Sequence, residues 1–353
     1  MPIATADLWL GSMSSEAKHQ PPEFAKHWAK ELGSSEKSLV QLQGGINNRV
    51  FRCGEAHNQW VIKGYSPLEP DQRDRMQAEV DFLRYSAEVA PGFTPGLIHA
   101  DPDRRCVILE YISGTPFSEV IKPSQEAIDD AVNFIQLLNA DSKAGKKSIL
   151  IDAADGFLSL SDHLINLYAR VALLECDHLH ATVKPKAVQL LAQLRNQLDQ
   201  TKDLTNQLID QGLISDSIMP EDRWISPSDF GFHNSIHTTN GVKFIDFEFS
   251  GWDDPLKTAT DFVLQPHFSI ISSESPLFFL VIDKDKPSVR KRYAVMHKIM
   301  FLKWISIILG VLNPLRFSKI LEISTNSKKT SLLEQQIERV EKYLCVHKDY
   351  WSG

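Results

Sequence analysis

The stretch 226–249 reads SPSDFGFHNSIHTTNGVKFIDFEF, and the fold turns on how it is read. Two runs of alternating residues, Ser235-Ile236-His237 and Val242-Lys243-Phe244-Ile245, flank Thr238-Thr239-Asn240-Gly241. Asn-Gly between alternating runs is the strongest short hairpin signal, since both residues accept the positive φ of the tightest turns. With Asn240 and Gly241 at the turn, Thr239 pairs with Val242 and Ser235 with Asp246. Asn234 then lies beside Asp246 at the open end. An amide oxygen next to a carboxylate makes a pair of hard oxygen ligands suited to Mg²⁺ carrying phosphates. Asp229, in the spacing D-x-x-x-x-N, precedes them on a loop and can accept a proton from an attacking hydroxyl. The plain alternative is a hairpin with polar residues at its mouth. Spacing, turn and residue types agree on the functional reading instead.

Outward from this stretch, the N-terminal third also has strand character. Arg49 to Cys53 and Gln59 to Tyr65 are rich in β-branched and aromatic residues, with a turn at Gly54 to Asn58. Cys106 to Ile112 is an apolar strand, and Asp71 to Val89 is a helix with Met76, Val80, Leu83 and Ala87 as its stripe. Pro22 to Leu32 is a short amphipathic helix, with Phe24, Trp28 and Leu32 four apart and Gly33 ending it. Residues 1–21 read as a loose leader. Ala127 to Asn139, Ser161 to Cys176, Lys186 to Gly212 and the chain from Lys257 through Ser331 to Cys345 are helical.

Two further segments carry chemistry. Gly44-Gly45, between strand-like runs, lets a backbone approach a ligand and turn free N–H groups toward phosphate oxygens, although most such pairs are plain turns. Lys63 sits among apolar neighbours, so its ammonium needs a partner or solvent. It is either a phosphate-contacting lysine held by Glu79, or an edge-strand lysine pointing outward, and taken alone the outward-pointing reading is favoured.

The composition is that of an ordinary globular protein, with 42% hydrophobic and 24% charged residues. A net charge of −7 over 353 residues argues against nucleic acid as a partner. Cys53, Cys106, Cys176 and Cys345 form no CxxC pair and no disulfide framework, which suits a reducing compartment. The N-terminus lacks the pattern of a signal peptide. Ile299 to Leu312, interrupted by Lys303, falls short of the roughly 20 residues of a membrane span and reads as a core helix. The expectation is a cytoplasmic protein without a membrane partner.

Taken together and in order, these segments resemble the aminoglycoside phosphotransferase and choline kinase-like superfamily, which is similar in fold to protein kinases. The residues are Gly44-Gly45-Ile46-Asn47-Asn48-Arg49-Val50-Phe51, Lys63, Glu79, Leu109-Glu110-Tyr111, Asp229 to Asn234 and Ile245-Asp246-Phe247-Glu248. Phe249 to Pro255 and Asp261 continue the likeness. The resemblance implies an α+β, two-lobed protein-kinase-like fold: a leader and helix over 1–37, a small antiparallel-sheet N-lobe over 38–112 and a larger, mainly helical C-lobe over 113–353. It implies that Gly44, Gly45 and Asn48 cover the phosphates of ATP, and that Lys63 contacts them and pairs with Glu79. Glu110, Tyr111 and Ile112 then serve the adenine, Asp229 is the catalytic aspartate, and Asn234 and Asp246 hold Mg²⁺. The acceptor is a small-molecule hydroxyl on a sugar, amino sugar, cyclitol or amino alcohol. One departure is Pro227-Ser228, where the family has His-Gly. That loss removes neither proton acceptor nor metal ligand, and proline stiffens the loop by fixing φ. It also keeps open a nucleotide-binding pseudokinase, alongside an aminoglycoside-modifying kinase.

Other signals are set aside. Ala144 to Ser148 mimics only the end of a P-loop. Cys176, His178 and His180 lack the rest of a four-ligand site. His233 has no fixed role in the family pattern. Leu277 to Leu280 reads as core or as an acceptor wall. Residues 155–222 balance to −5 and residues 283–320 to +7, as solvated helix faces commonly do.

Overall fold

The computed structural model describes residues 20–42, 48–55, 58–68, 73–117, 122–140, 151–266, 276–281, 286–317 and 326–351. The leader, Gly44-Gly45, the start of the expected 71–89 helix and Ala144 to Ser148 lie outside the described residues, as do the side chains of Phe278 and Phe279. Contacts divide the chain into two compact units. One takes in the chain up to Gly156 together with Trp224–Asp253. The other takes in Phe157–Arg223 and the chain from Asp254.

In the first unit, β1 (Val40–Gln41), β2 (Asn48–Glu55), β3 (Asn58–Tyr65), β4 (Leu97–Asp101) and β5 (Cys106–Glu110) form an antiparallel sheet ordered β1-β2-β3-β5-β4. Helix α1 (Glu23–Glu31) packs Ala29, Phe24 and Trp28 against Cys53 and Ile62 of the sheet. It ends as its sequence predicts. Gly33 takes φ +69°, its N–H reaches the Lys30 carbonyl, and the Ser34 N–H reaches that of Ala29. Helix α2 (Arg75–Val89) starts at Asp74, whose carboxylate accepts the Gln77 N–H. It buries Met76, Glu79, Val80, Phe82 and Leu83.

Later segments complete this unit. Helix α3 (Gln125–Asn139) follows the short β6 (Thr115–Pro116). Strand β6 joins β8 (Ser235–Thr238) and β9 (Gly241–Phe244) in a sheet ordered β6-β8-β9. Strands β7 (Trp224–Ser226) and β10 (Gly251–Asp253) pair antiparallel. An aromatic core lies beneath. Phe134 of α3 stacks on Phe244 (5.2 Å) and Phe93 (5.3 Å), and Phe82 of α2 stacks on Phe247 (4.5 Å).

The second unit is helical: α4 (Leu160–Ala172), α5 (Lys184–Asp210), α6 (Pro255–Leu264), α7 (Pro276–Val281), α8 (Pro287–Ile308), α9 (Asn326–Val346) and α10 (Lys348–Trp351). Helix α8 with its extension to Leu312 is long and apolar enough to cross a membrane. Yet it is mostly buried, and it packs against α4, α5, α6 and α9. It is a core helix, as the interrupting Lys303 suggested. Asp254 caps α6 and meets Arg292 of α8 at 2.6 Å. All four cysteines are free. The antiparallel sheet and helical C-terminal part match the fold expected from sequence.

Candidate active site

β3 is the middle strand of its sheet, so Lys63 is not an edge residue. It is 5% exposed, and burial leaves an ammonium little choice but ionic partners. Its Nζ lies 2.5 Å from Glu79 Oε2 and 2.5 Å from Asp246 Oδ1. Tyr65, two residues along the same strand face, donates its hydroxyl to Glu79 Oε2 at 2.6 Å. Burial pulls the Lys63 ammonium toward neutrality. The carboxylates of Asp246, Glu79 and Glu248 outweigh that pull and hold it above its ordinary value. Burial, then Glu79, pushes the Tyr65 hydroxyl up, so it stays a donor.

Glu248 extends the network. Its carboxylate accepts Asn48 Nδ2 at 2.6 Å and faces Arg75 at 3.6 Å. Burial and then Asp246 push its carboxyl up to about 7, against the opposing pull of Lys63, Asn48 and Arg75. Asn48 is thus committed to the segment after Asp246. Arg73 bonds the carbonyls of Glu248, Ser250 and Asp152, fixing that segment's backbone.

The Asp229 loop is held as tightly. The Asp229 N–H donates to the Pro227 carbonyl at 3.0 Å around Ser228, which takes φ +67°. This is the geometry of a γ-turn, a strained turn in which glycine is easiest. Ser228 is anchored there by its N–H to Ser226 Oγ (3.0 Å) and its hydroxyl to the Ala154 carbonyl (3.2 Å). The 3₁₀ turn Phe232–Asn234 then brings two side chains back to the acid. Asn234 Nδ2 donates to Asp229 Oδ2 (3.1 Å) and to the Asp229 carbonyl (3.0 Å), while His233 Nε2 meets Oδ1 at 3.0 Å. With its nitrogen so used, Asn234 keeps Oδ1 as a free-facing acceptor.

The hairpin forms with a corrected register. Thr238 pairs with Gly241, His237 with Val242 and Ser235 with Phe244, so Thr239-Asn240 is the turn and not Asn240-Gly241. The reason lies outside the hairpin. Asp130 of α3 accepts the Val242 N–H at 2.9 Å, and its carboxylate lies only 2.7 Å from where a Cβ on residue 241 would stand. The Thr238 hydroxyl, which accepts from the Asn240 N–H and donates to the Gly241 carbonyl, closes the loop. Ser235 therefore does not face Asp246. The Ile245 N–H bonds the Asn234 carbonyl at 2.9 Å, leaving Asp246 one residue further on at φ +68°. Asn234 and Asp246 still flank the open end.

The remaining expected residues fall in two groups. Gly44 and Gly45 lie outside the described residues. The Glu110 N–H is taken by the Gly96 carbonyl at 2.8 Å, and Tyr111 faces Arg52 across 5.8 Å. Sequence reasoning missed Tyr65, Arg73 and the Asn48–Glu248 contact, which have no local signal, and gave His233 no part. Among the described residues no three His, Cys, Asp or Glu groups cluster to hold a metal. An Asn–Asp oxygen pair is a different donor set, one that fits Mg²⁺ bound jointly with phosphates and water.

No family model and no curated protein matches the chain in sequence. Solved structures do match in fold. A choline kinase from Cryptosporidium parvum Iowa II is 15% identical, covering 88% of this chain and 90% of that one, with a TM-score of 0.54. A spectinomycin phosphotransferase in complex with ADP and spectinomycin is 9% identical, covering 86% and 92%, with a TM-score of 0.52. A choline/ethanolamine kinase family protein from Mesorhizobium loti is 17% identical, covering 87% of each chain, with a TM-score of 0.50. At these identities the likeness is one of fold.

Proposed function

We propose that the chain is a Mg²⁺-dependent kinase that moves the γ-phosphate of ATP to a hydroxyl of a small molecule. One observation carries this reading: Lys63 joins Glu79 to Asp246 in the same unit where Asn234 and His233 hold Asp229. Phosphoryl transfer asks for positioning and charge neutralisation more than covalent help, and these groups offer both. Lys63 binds phosphate oxygens and is kept charged by its carboxylates. Gly44 and Gly45 cover the phosphates, with Asn48 at the loop's end. The Glu110 carbonyl and the Tyr111-Ile112 backbone take the adenine, completing an N-lobe over 38–112. Asn234 Oδ1 and Asp246 hold Mg²⁺, which neutralises charge on the phosphates when bound. Asp229 accepts the proton of the attacking hydroxyl. A fixed carboxylate suits that task, because the acceptor lone pair must face the hydroxyl.

The neighbours named for choline, ethanolamine and spectinomycin support a small alcohol as acceptor. Glu248, where protein kinases have the glycine of Asp-Phe-Gly, speaks against a protein substrate. The test uses γ-labelled ATP, Mg²⁺ and pooled sugars, amino sugars, cyclitols and amino alcohols, with the parent beside Asp229→Asn. A labelled small molecule formed by the parent alone is the expected result. Mg²⁺-ATP binding with no label from any pool would refute these acceptor classes and favour a nucleotide-binding pseudokinase or an acceptor outside the pool.

A further inference from the structure

We infer that His233 is a positioning residue for Asp229. The inference rests on the kinase reading for its consequence and on the loop geometry for its substance. His233 and Asn234 are consecutive in the 3₁₀ turn Phe232–Asn234, and each points a nitrogen at a different oxygen of one carboxylate. His233 Nε2 takes Oδ1 at 3.0 Å and Asn234 Nδ2 takes Oδ2 at 3.1 Å. Two donors on two oxygens fix the plane of a carboxylate, whereas one donor leaves it free to rotate about its own axis. The His233 side chain is 5% exposed and that of Asp229 is 21% exposed. The imidazole therefore has little freedom to leave, while the acid is partly exposed. The Ser228 hydroxyl is given to the Ala154 carbonyl, and Pro227 has no N–H to give. Asn234 gives one Nδ2 hydrogen to Oδ2 and the other to the Asp229 carbonyl, so it reaches only one of the two carboxylate oxygens. Toward an ionised carboxylate, which only accepts, Nε2 of His233 serves as the donor.

The consequence is a split between chemistry and binding. A misplaced acid lowers turnover without loosening nucleotide, and displacement by about 1 Å can cost roughly 100-fold. His233→Ala should lower kcat by about 10- to 100-fold and leave KM for ATP within about two-fold. His233→Gln, whose amide can donate to the same oxygen, should recover to within about five-fold of the parent. Thermal melting and calorimetric Mg²⁺-ATP binding show that both variants are folded. A crystal structure of His233→Ala supplies a readout free of activity: the Asp229 carboxylate should be rotated or spread over two positions. An unchanged Asp229 carboxylate in that structure overturns the proposal. So does a His233→Gln variant no faster than His233→Ala. A parent that transfers no phosphate would sink the kinase reading, and the Asp229 carboxylate in the variant structure would still decide the positioning role.

Discussion

Replacing Lys63 with methionine keeps a long apolar stem and removes the cation between three carboxylates. Glu79 is 1% exposed, so its charge would be stranded in the interior with the Tyr65 hydroxyl as a remaining donor. Asp246, with a side chain 35% exposed, can turn to water instead. Most of the penalty therefore falls on Glu79. Removing one partner of a buried pair and leaving the other charged costs about 3–5 kcal/mol. Glu79→Gln alone should cost about 1–2 kcal/mol, because Lys63 retains Asp246 at 2.5 Å. The double variant strands no buried charge at position 79, so it should also lose only about 1–2 kcal/mol. The cycle then gives a coupling of at least about 2 kcal/mol. Urea unfolding at pH 7.5 measures all four proteins, and calorimetry adds the expected loss of Mg²⁺-ATP affinity on losing the ammonium. A Lys63→Met protein within about 1 kcal/mol of the parent would refute the reasoning. So would a double variant as unstable as Lys63→Met.

Three further outcomes follow from the same arithmetic. Burial, then His347 and Lys298, hold the His297 imidazole down to about 3, and burial holds that of His347 down to about 4. Both stay neutral in the fold while unfolded imidazoles charge below 6.5, so stability falls as pH drops. The loss is about 2 kcal/mol for each histidine by pH 5, and urea unfolding at pH 7.5 and pH 5 should show a shallower drop in His297→Gln/His347→Gln. Arg292→Ala removes the guanidinium 2.6 Å from Asp254, which is 0% exposed, and should cost about 3–5 kcal/mol in urea unfolding. Phe134→Ala removes the ring on which Phe93 and Phe244 stack and should cost about 3–5 kcal/mol by the same assay, with little change if the cluster collapses to fill the gap.

The long helices were legible because each must bury one face, and burial writes a period into the chain. Helix α1 is plain from Phe24, Trp28 and Leu32, and α8 from its apolar run. Strand β4 was not legible. Of its residues, Ile98 and His99 are exposed, Leu97 and Ala100 half-buried and Asp101 buried, and its register slips between Leu97 and His99, so no clean alternation survives. At the site, Asp229, Asn234 and Asp246 were singled out by residue type and spacing and Lys63 and Glu79 by the family resemblance, and the structure brings Lys63 to Glu79 and Asp246, and Asn234 to Asp229. The hairpin turn was misplaced by one residue because Asn-Gly is a local signal, and Asp130, 112 residues from Val242, overrode it. The Asn48–Glu248 contact, across 200 residues, shows the same limit. Spacing can name a donor, but only the folded chain names its acceptor.

That distinction also explains how the two acids are held. Ser228, next to Asp229, and Asp246 itself have left-handed backbones, which cost a residue with a Cβ about 1–2 kcal/mol each. At Ser228 the hydrogen bonds to Ser226 and Ala154 offset part of that cost. Each acid is also followed by a phenylalanine that enters the aromatic core: Phe230 lies 4.9 Å from Phe244, and Phe247 lies 4.5 Å from Phe82. Burying a phenylalanine is worth about 1.5–3 kcal/mol, and a ring pair adds about 0.5–1.5 kcal/mol. The burial outweighs the strain at both turns. The Asp-Phe pairs at 229–230 and 246–247 thus work as a tether and a tip. The ring goes into the core, and the carboxylate beside it is turned outward into a geometry that its own sequence would not choose.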